Sequence, residues 1–153
     1  MNKSIKELEE LKLVGFRVLC PGDQYIVEIP KATVRLNERI GEIKQLVNPS
    51  HRYGAFVVEN ETGDKDGYWV CAQVKEFEDI PSEMVSLTIP PQTYAVTRHI
   101  GENHKIMHMY EELHKWIEDN GYTRLMDKWH VEKYHSWDDV ENVEVELYDT
   151  ICK

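Results

Sequence analysis

The chain has 153 residues, the length of a single domain that can bury its own hydrophobic core. It has 18 Lys and Arg against 28 Asp and Glu, a formal net charge of −10, and no basic cluster that could neutralise nucleic-acid phosphates. Hydrophobic residues make up 41% and aromatic residues 10%, which excludes a disordered acidic tail, and no apolar stretch is long enough for a membrane span.

The cysteines predict reduced thiols rather than a structural scaffold. Cys20, Cys71 and Cys152 are odd in number and form no CxxC pair, so we expect neither a disulfide framework nor a metal site. The N-terminus lacks the apolar segment of a secretory signal. We therefore expect a cytoplasmic protein without a metal or other cofactor.

In chain order, the first half predicts strand, helix, strand, strand. A β-rich segment covers residues 11–20. Pro30 suits the first turn of the following helix, and Asn48-Pro49 is predicted to end it. Strands over 54–60 and 68–77 come next. The apolar face of the helix is predicted to consist of Leu36, Ile40, Ile43 and Val47.

The second half predicts the same order of elements. A strand over 93–100 leads to a helix that Asn120-Gly121 ends, because Gly accepts the left-handed conformation. Strands over 129–134 and 143–151 complete the half. The apolar face of this second helix is predicted to consist of Ile106, Met109, Tyr110, Leu113, Trp116 and Ile117.

We interpret this order as an internal duplication of a βαββ unit within one domain, 1–153, with half-repeats of about 1–78 and 79–153. One helix on a small sheet buries too little surface on its own. We therefore expect an α+β fold in which two such units share an antiparallel sheet with two helices, related by a pseudo-twofold axis around a central cleft.

Alternation along the predicted strands separates an aliphatic face, on which the helices would sit, from a face that mixes aromatic residues with carboxylates. Two interpretations of that second face stay open: a solvated face of an antiparallel sheet, or an aromatic pocket with an acidic floor. The residues assigned to it are Trp69, Glu132, Tyr134, Glu146 and Tyr148.

Five stretches, in order, carry a further pattern. The segment 80–101 joins a proline-led loop and a Thr-Ile-Pro strand end to Tyr-Ala-Val and a Gly, and 110–122 ends in Asn-Gly-Tyr. The segment 145–151 contains Glu146 and Tyr148 two residues apart, and 13–17 and Ile29-Pro30 lie at the start. Together these stretches resemble GyrI-like domains, also called AraC-type effector-binding domains, over nearly the whole chain.

The resemblance implies a duplicated βαββ fold whose cleft binds small hydrophobic, often cationic, molecules. It matches Glu146 to the acidic position of the family's last motif and Tyr148 to its tyrosine. It matches Glu132 to an acidic position of the preceding strand, and Trp69 lies where pocket aromatics are common. The family's usual Pro is replaced by Thr150, which affects the expected pocket rather than the fold.

These expectations define a function. In an aromatic cleft, burial would raise the pKa of Glu146, and a lipophilic cation would supply the missing charge. Trp69 and Tyr148 could add cation–π attraction. We expect a small-molecule (effector or multidrug) binding protein, related to the effector-binding domains of transcription regulators. No helix-turn-helix is expected before the first strand, so a complete transcription factor is not expected.

Two alternatives stay open. Glu146 and Tyr148 are candidates for a general base or nucleophile and a hydrogen-bond donor in a hydrolase of small hydrophobic toxins, although no catalytic residue is assigned. The acidic surface could instead bind and inhibit a larger enzyme, with a protein as the partner. His104 and His108, four residues apart on a helix, are expected to face solvent rather than bind metal.

Overall fold

The computed structural model describes residues 3–59, 63, 65–136 and 141–152. Residue 60, at the end of the predicted strand 54–60, lies outside this range. Within the described residues, neither helix is both long and apolar enough to cross a lipid bilayer. The elements are β1 Ser4–Leu8, β2 Leu11–Val18, α1 Tyr25–Arg39, β3 Arg52–Val57, β4 Tyr68–Val74, β5 Val85–Ile89, β6 Gln92–Gly101, α2 Ile106–Asp119, β7 Thr123–Arg124, β8 Trp129–Ser136 and β9 Val143–Cys152.

The described strands pair antiparallel in the order β1-β6-β9-β8-β3-β4-β2-β5, and β7 pairs with β9 outside this path. The inner six strands read β6-β9-β8 and then β3-β4-β2, so corresponding strands of the two halves stand at equal distances from the central β3–β8 pair. This arrangement confirms the predicted α+β fold with two helices on an antiparallel sheet. The exact repeat boundary at 78/79 stays a prediction.

The outermost strands connect the two halves. β1 precedes β2 in the chain but pairs with β6, and β5 precedes β6 but pairs with β2. Each half therefore adds an edge strand to the other half's sheet, which explains why both halves fold as one unit.

Both faces of the sheet are buried. α1 packs Leu36 against Val14 and Val70 on one side of the sheet, and α2 packs on the same side farther along. On the opposite side, Leu11 near one end of the strand order joins one cluster with Tyr94 near the other end. The sheet therefore curls around this second core rather than exposing it to solvent.

The prediction for the first helix is wrong at both ends. α1 begins at Tyr25, so Pro30 lies inside the helix, and it ends at Arg39. Pro30 has no N–H to offer the carbonyl group of Ile26, but Ile26 is 83% exposed, so water can reach that part of the helix. Gln45 has a φ of 66°, which is incompatible with a helix running to Val47.

Candidate functional site

A cavity of about 380 Å³ lies beside α1, above the centre of the sheet. α1 packs on β2 and β4, and α2 packs on β6, so both helices cover outer strands and leave the β3–β8 pair less covered. The lining is mainly apolar along α1 and polar along the central strands. It includes Ile29, Pro30, Val34, Asn37, Arg52, Gly54, Tyr68, Val70 and Tyr134.

Glu132 lies on β8, next to this cavity, and is held by tyrosine hydroxyl groups. The Tyr68 hydroxyl donates to Oε1 at 2.5 Å, and the Tyr110 hydroxyl donates to Oε2 at 2.6 Å. Tyr134, two residues along β8, also hydrogen-bonds the carboxylate. Glu132 is only 7% exposed, so the carboxylate is satisfied by protein donors rather than by bulk water.

Local sequence explains how three elements reach one carboxylate. Gly54 stands directly opposite Glu132 in the β3–β8 register. A Cβ atom at position 54 would lie 1.7 Å from the hydroxyl oxygen of Tyr68, so only a glycine lets the Tyr68 side chain pass over β3 from β4. Tyr110 approaches from the other side, because α2 lies over the second half of the sheet.

The charge of Glu132 has no cationic partner in the described part of the chain, where no Lys, Arg or His nitrogen lies within 4 Å of it. Burial raises the pKa of Glu132, and the three tyrosine hydrogen bonds only partly offset this effect. Burial, followed by the negative charge of Glu132, raises the pKa of Tyr68 and Tyr110 well above the usual range. The tyrosines therefore remain protonated donors.

A positive group lies in the wall of the same cavity. Arg52 is 5% exposed and donates through Nε to Asn37 Oδ1 at 2.7 Å. Its Nη1 donates to the carbonyl oxygens of Pro49 and His51 at 2.7 and 2.9 Å. Burial lowers the pKa of this guanidinium from a very high value, so Arg52 stays charged.

The prediction that five aromatic and acidic residues share one face is wrong. In the β8–β9 register, Glu132 pairs with Leu147 and therefore faces the helices together with Tyr134, whereas Val131 pairs with Tyr148. Glu146, Tyr148 and Trp69 lie on the opposite face of the sheet. The error arose because neither face of β8 is uniformly aliphatic, so alternation alone did not show which face the helices cover.

The predicted rise in the pKa of Glu146 is also wrong. Burial does raise this pKa, but hydrogen bonds from His135 and Tyr148 and the charge of Lys6 outweigh burial and lower it overall. His135 Nε2 lies 2.6 Å from Oε1, and Lys6 Nζ lies 3.5 Å from Oε2. Glu146 thus already has a cationic partner in Lys6 and hydrogen-bond partners in His135 and Tyr148. The environment expected for Glu146 is the one that surrounds Glu132.

Trp69 and Tyr148 pack in the core on the far side of the sheet. The Trp69 ring meets Trp129 edge-on at 5.0 Å between centroids, and Tyr148 meets Tyr94 in the same way at 5.5 Å. Trp69 and Tyr148 are buried, and neither lines the cavity. Their proposed contact with ligand therefore stays a prediction without support from the position of the cavity.

Sequence reasoning missed the partners of Glu132. Tyr110 was assigned to an apolar helix face, and Tyr68 was assigned to the start of a strand. The available signals were Gly54 inside a predicted strand, which indicates a close approach, and tyrosines at buried positions, whose hydroxyl groups need partners. His104 does face solvent as predicted, with its side chain 72% exposed.

A second buried carboxylate fixes α2 to the sheet. Asp149 on β9 is fully buried and lies 2.7 Å from His114 Nε2 and 2.9 Å from His130 Nδ1. Arg124 Nε donates to the same carboxylate at 2.9 Å. Burial raises the pKa of Asp149, but the close approach of His114 and His130 and the charge of Arg124 lower it well below the usual range. Since His114 lies one helical turn after Tyr110, this anchor also positions the donor to Glu132.

Comparison with known proteins agrees with this architecture. A family model described as an integron-associated effector binding protein matches residues 4–151. No protein of curated function matches the chain.

Solved structures of similar fold match almost the whole chain. SAV2435 bound to tetraphenylphosphonium is 17% identical, with a TM-score of 0.74, and the match covers 99% of this chain and 94% of that one. The C-terminal domain of EcmrR is 21% identical, with a TM-score of 0.71, and the match covers 99% and 97%. EcmrR in its complex with DNA is 22% identical, with a TM-score of 0.70. That match covers 99% of this chain but only 57% of the longer EcmrR chain.

Proposed function

Because the chain belongs to the integron-associated effector-binding family and has the GyrI-like fold that its sequence resembles, we propose that it binds small hydrophobic cations in the cavity beside Glu132. The observation that carries the proposal is the Glu132 carboxylate, which is buried, surrounded by tyrosine hydroxyl groups, and adjacent to a largely apolar cavity. Solved structures of this fold include a putative bacterial transcription regulation protein from Staphylococcus aureus.

Electrostatics favours a cation over other ligands. A buried carboxylate with no cation in direct contact is unfavourable, and a lipophilic cation would supply that contact without requiring a strongly hydrated site. Tyr68 and Tyr134 line the cavity, and their rings could add cation–π attraction of about 0.5–2 kcal/mol. The SAV2435 structure with tetraphenylphosphonium supports this ligand class for the present fold.

The ligand-binding residues in this proposal are only some of those that the sequence predicts. Glu132 and Tyr134 keep a ligand-binding role, and Glu132 takes the role first expected of Glu146. Glu146, Tyr148 and Trp69 are proposed to stabilise the far side of the sheet instead. Direct binding to nucleic acid is not proposed, because the net charge is −10. The cytoplasmic location stays a prediction.

The test is a titration with tetraphenylphosphonium, followed by calorimetry. We expect Glu132→Gln to weaken binding at least about tenfold, because it removes the counter-charge but keeps the shape of the side chain. Glu146→Gln is the matched control on the opposite face, and Glu111→Gln is the control on an exposed helix surface. Equal affinity of the wild type and Glu132→Gln would contradict the proposal.

A hydrolase at the same site is the second candidate. It is favoured by the raised pKa of Glu132 beside tyrosine donors, which suits a group that exchanges a proton with substrate. Glu132 would then be the general base or nucleophile and Tyr110 the hydrogen-bond donor, the roles that the sequence suggests for Glu146 and Tyr148. Mass spectrometry of candidate ligands after incubation separates the two functions, because only catalysis produces a time-dependent product that disappears in Glu132→Gln.

A further inference from the structure

Two buried groups of opposite charge lie at this cavity on one strand pair: Arg52 lines it, and Glu132 lies next to the lining residue Gly54. Arg52 pairs with Tyr134 and Gly54 pairs with Glu132 in the β3–β8 register, so Arg52 and Glu132 are diagonal neighbours on the same face. Diagonal neighbours on an antiparallel pair lie about 7–8 Å apart at the backbone. A ligand in this cavity therefore lies close to a carboxylate at one end and to a guanidinium at the other.

Each charged group is held in place by its own set of partners. Tyr68 and Tyr110 fix the carboxylate of Glu132, and the Asn37 side chain fixes the guanidinium of Arg52. Arg52 and Asn37 both line the cavity wall, as does Tyr134, which pairs with Arg52 and hydrogen-bonds Glu132. The positions of both charges are therefore set before a ligand arrives, which favours ligands whose own charges have matching positions.

These positions distinguish between classes of cation. A ligand that is only cationic gains attraction at Glu132 but brings positive charge towards Arg52. A ligand that also carries an acceptor oxygen at its far end gains at both groups, and a carboxylate gains most because arginine–carboxylate hydrogen bonds are charge-assisted.

Resting on the proposed function, we propose that the preferred ligand is a zwitterion: an aromatic ammonium compound whose carboxylate is recognised by Arg52 and Asn37. Arg52 is then a specificity-determining residue, and Glu132 provides the affinity for the ammonium group that both kinds of ligand share.

The experiment compares two probes that differ by one group: benzyltrimethylammonium and its 4-carboxylate, 4-(trimethylammoniomethyl)benzoate. Calorimetry with the full chain measures both affinities. We expect the wild type to bind the carboxylated probe about tenfold more tightly than the parent cation. We expect Arg52→Met to lose this preference while binding the parent cation at least as tightly as the wild type, because repulsion is removed.

Arg52 is buried, so Arg52→Met could fail to fold, which circular dichroism would show. Asn37→Asp is the second variant: it keeps an acceptor for Arg52 Nε and places a negative charge beside the guanidinium. We expect it to abolish the preference for the carboxylated probe and to strengthen binding of the parent cation. This result would support the role of Arg52 independently of the first variant.

The outcomes separate the two proposals. If the wild type binds the parent cation through Glu132 but gains nothing from the carboxylate, the zwitterion inference is wrong and the proposed function stands. If the variants at positions 37 and 52 change both affinities by the same factor, the inference is also wrong. If the carboxylate preference depends on Arg52 but Glu132→Gln binds the parent cation normally, the proposed function is wrong. Binding of neither probe contradicts both.

Discussion

The hydroxyl group of Tyr68 lies directly over the backbone of Gly54 and donates a hydrogen bond to Glu132 on the next strand. Because position 54 has no side chain, Tyr68 of β4 can reach across β3 and hydrogen-bond the carboxylate on β8. A glycine inside a strand weakens the strand, so its presence here indicates a requirement for close approach.

Gly54→Ala tests this relationship. The new Cβ would lie 1.7 Å from the Tyr68 hydroxyl oxygen and 2.4 Å from its Cζ atom, so the ring must move away from Glu132. We expect a loss of about 1–3 kcal/mol in the free energy of unfolding, measured by urea denaturation, together with weaker tetraphenylphosphonium binding.

Gly41→Ala is the matched control, because a Cβ at that position meets nothing within 4 Å. Its unfolding free energy should stay within about 0.5 kcal/mol of the wild type, and its affinity should not change. If Gly54→Ala also binds with unchanged affinity, Tyr68 does not contribute to the site through Glu132.

Removal of the Glu132 charge is expected to weaken binding without a loss of stability at neutral pH. The pKa of Glu132 is raised in the folded state, so folding favours its protonated form. This favourable contribution is fully present below the ordinary glutamate pKa of the unfolded chain and is lost as pH rises through the folded-state pKa.

Glu132→Gln should therefore unfold with a free energy at neutral pH that equals or exceeds that of the wild type, and the difference should shrink as pH falls towards 4. Urea denaturation at several pH values measures this. A variant that is less stable than the wild type at neutral pH but equally stable at pH 4 would contradict this expectation. It would show that the folded protein accommodates the charged form of Glu132 well without a ligand.

Ligand binding is expected to release a proton from the same residue. A bound cation favours the charged form of Glu132 and lowers its pKa, so affinity for tetraphenylphosphonium should increase as pH rises through the raised pKa. Calorimetry in buffers of different ionisation enthalpy measures the released proton. Glu132→Gln should show neither the release nor this pH dependence, and the same proton release in that variant would assign it to another group.

The sequence predicts much of the fold because its strongest signals are local and repeated. The strand–helix–strand–strand order occurs twice, and the second helix ends at Asn120-Gly121 as its sequence indicates. The exchange of edge strands was not predictable, because β1 pairs with residues about 90 positions away and no local pattern encodes that partner. The position of α1 was misread because a proline was assigned to the first helical turn rather than to the interior.

The site was predicted only in part, for a different reason. The sequence predicts a cation-binding pocket from carboxylates that alternate with aromatic residues along strands, and Glu132 is one of these carboxylates. The choice between Glu132 and Glu146 depends on which face of β8 the helices cover and on neighbours that are remote in sequence. His135 and Lys6 contact Glu146, whereas tyrosines from β4 and α2 surround Glu132, and only the folded chain brings these groups together.

Asp149 is expected to control the stability of the protein in acid and, through α2, the geometry of the binding site. Its pKa is lowered in the folded state, so the stability it provides is present above the ordinary aspartate pKa and is lost as pH falls below about 4. Asp149→Asn leaves His130 and Arg124 without the carboxylate and should lower the free energy of unfolding at pH 7 by about 3 kcal/mol. Asp127→Asn is the exposed control.

Because His114 loses its anchor as well, tetraphenylphosphonium should bind more weakly even under conditions where the Asp149→Asn variant is fully folded. Unchanged affinity in folded Asp149→Asn would show that Tyr110 reaches Glu132 without this anchor.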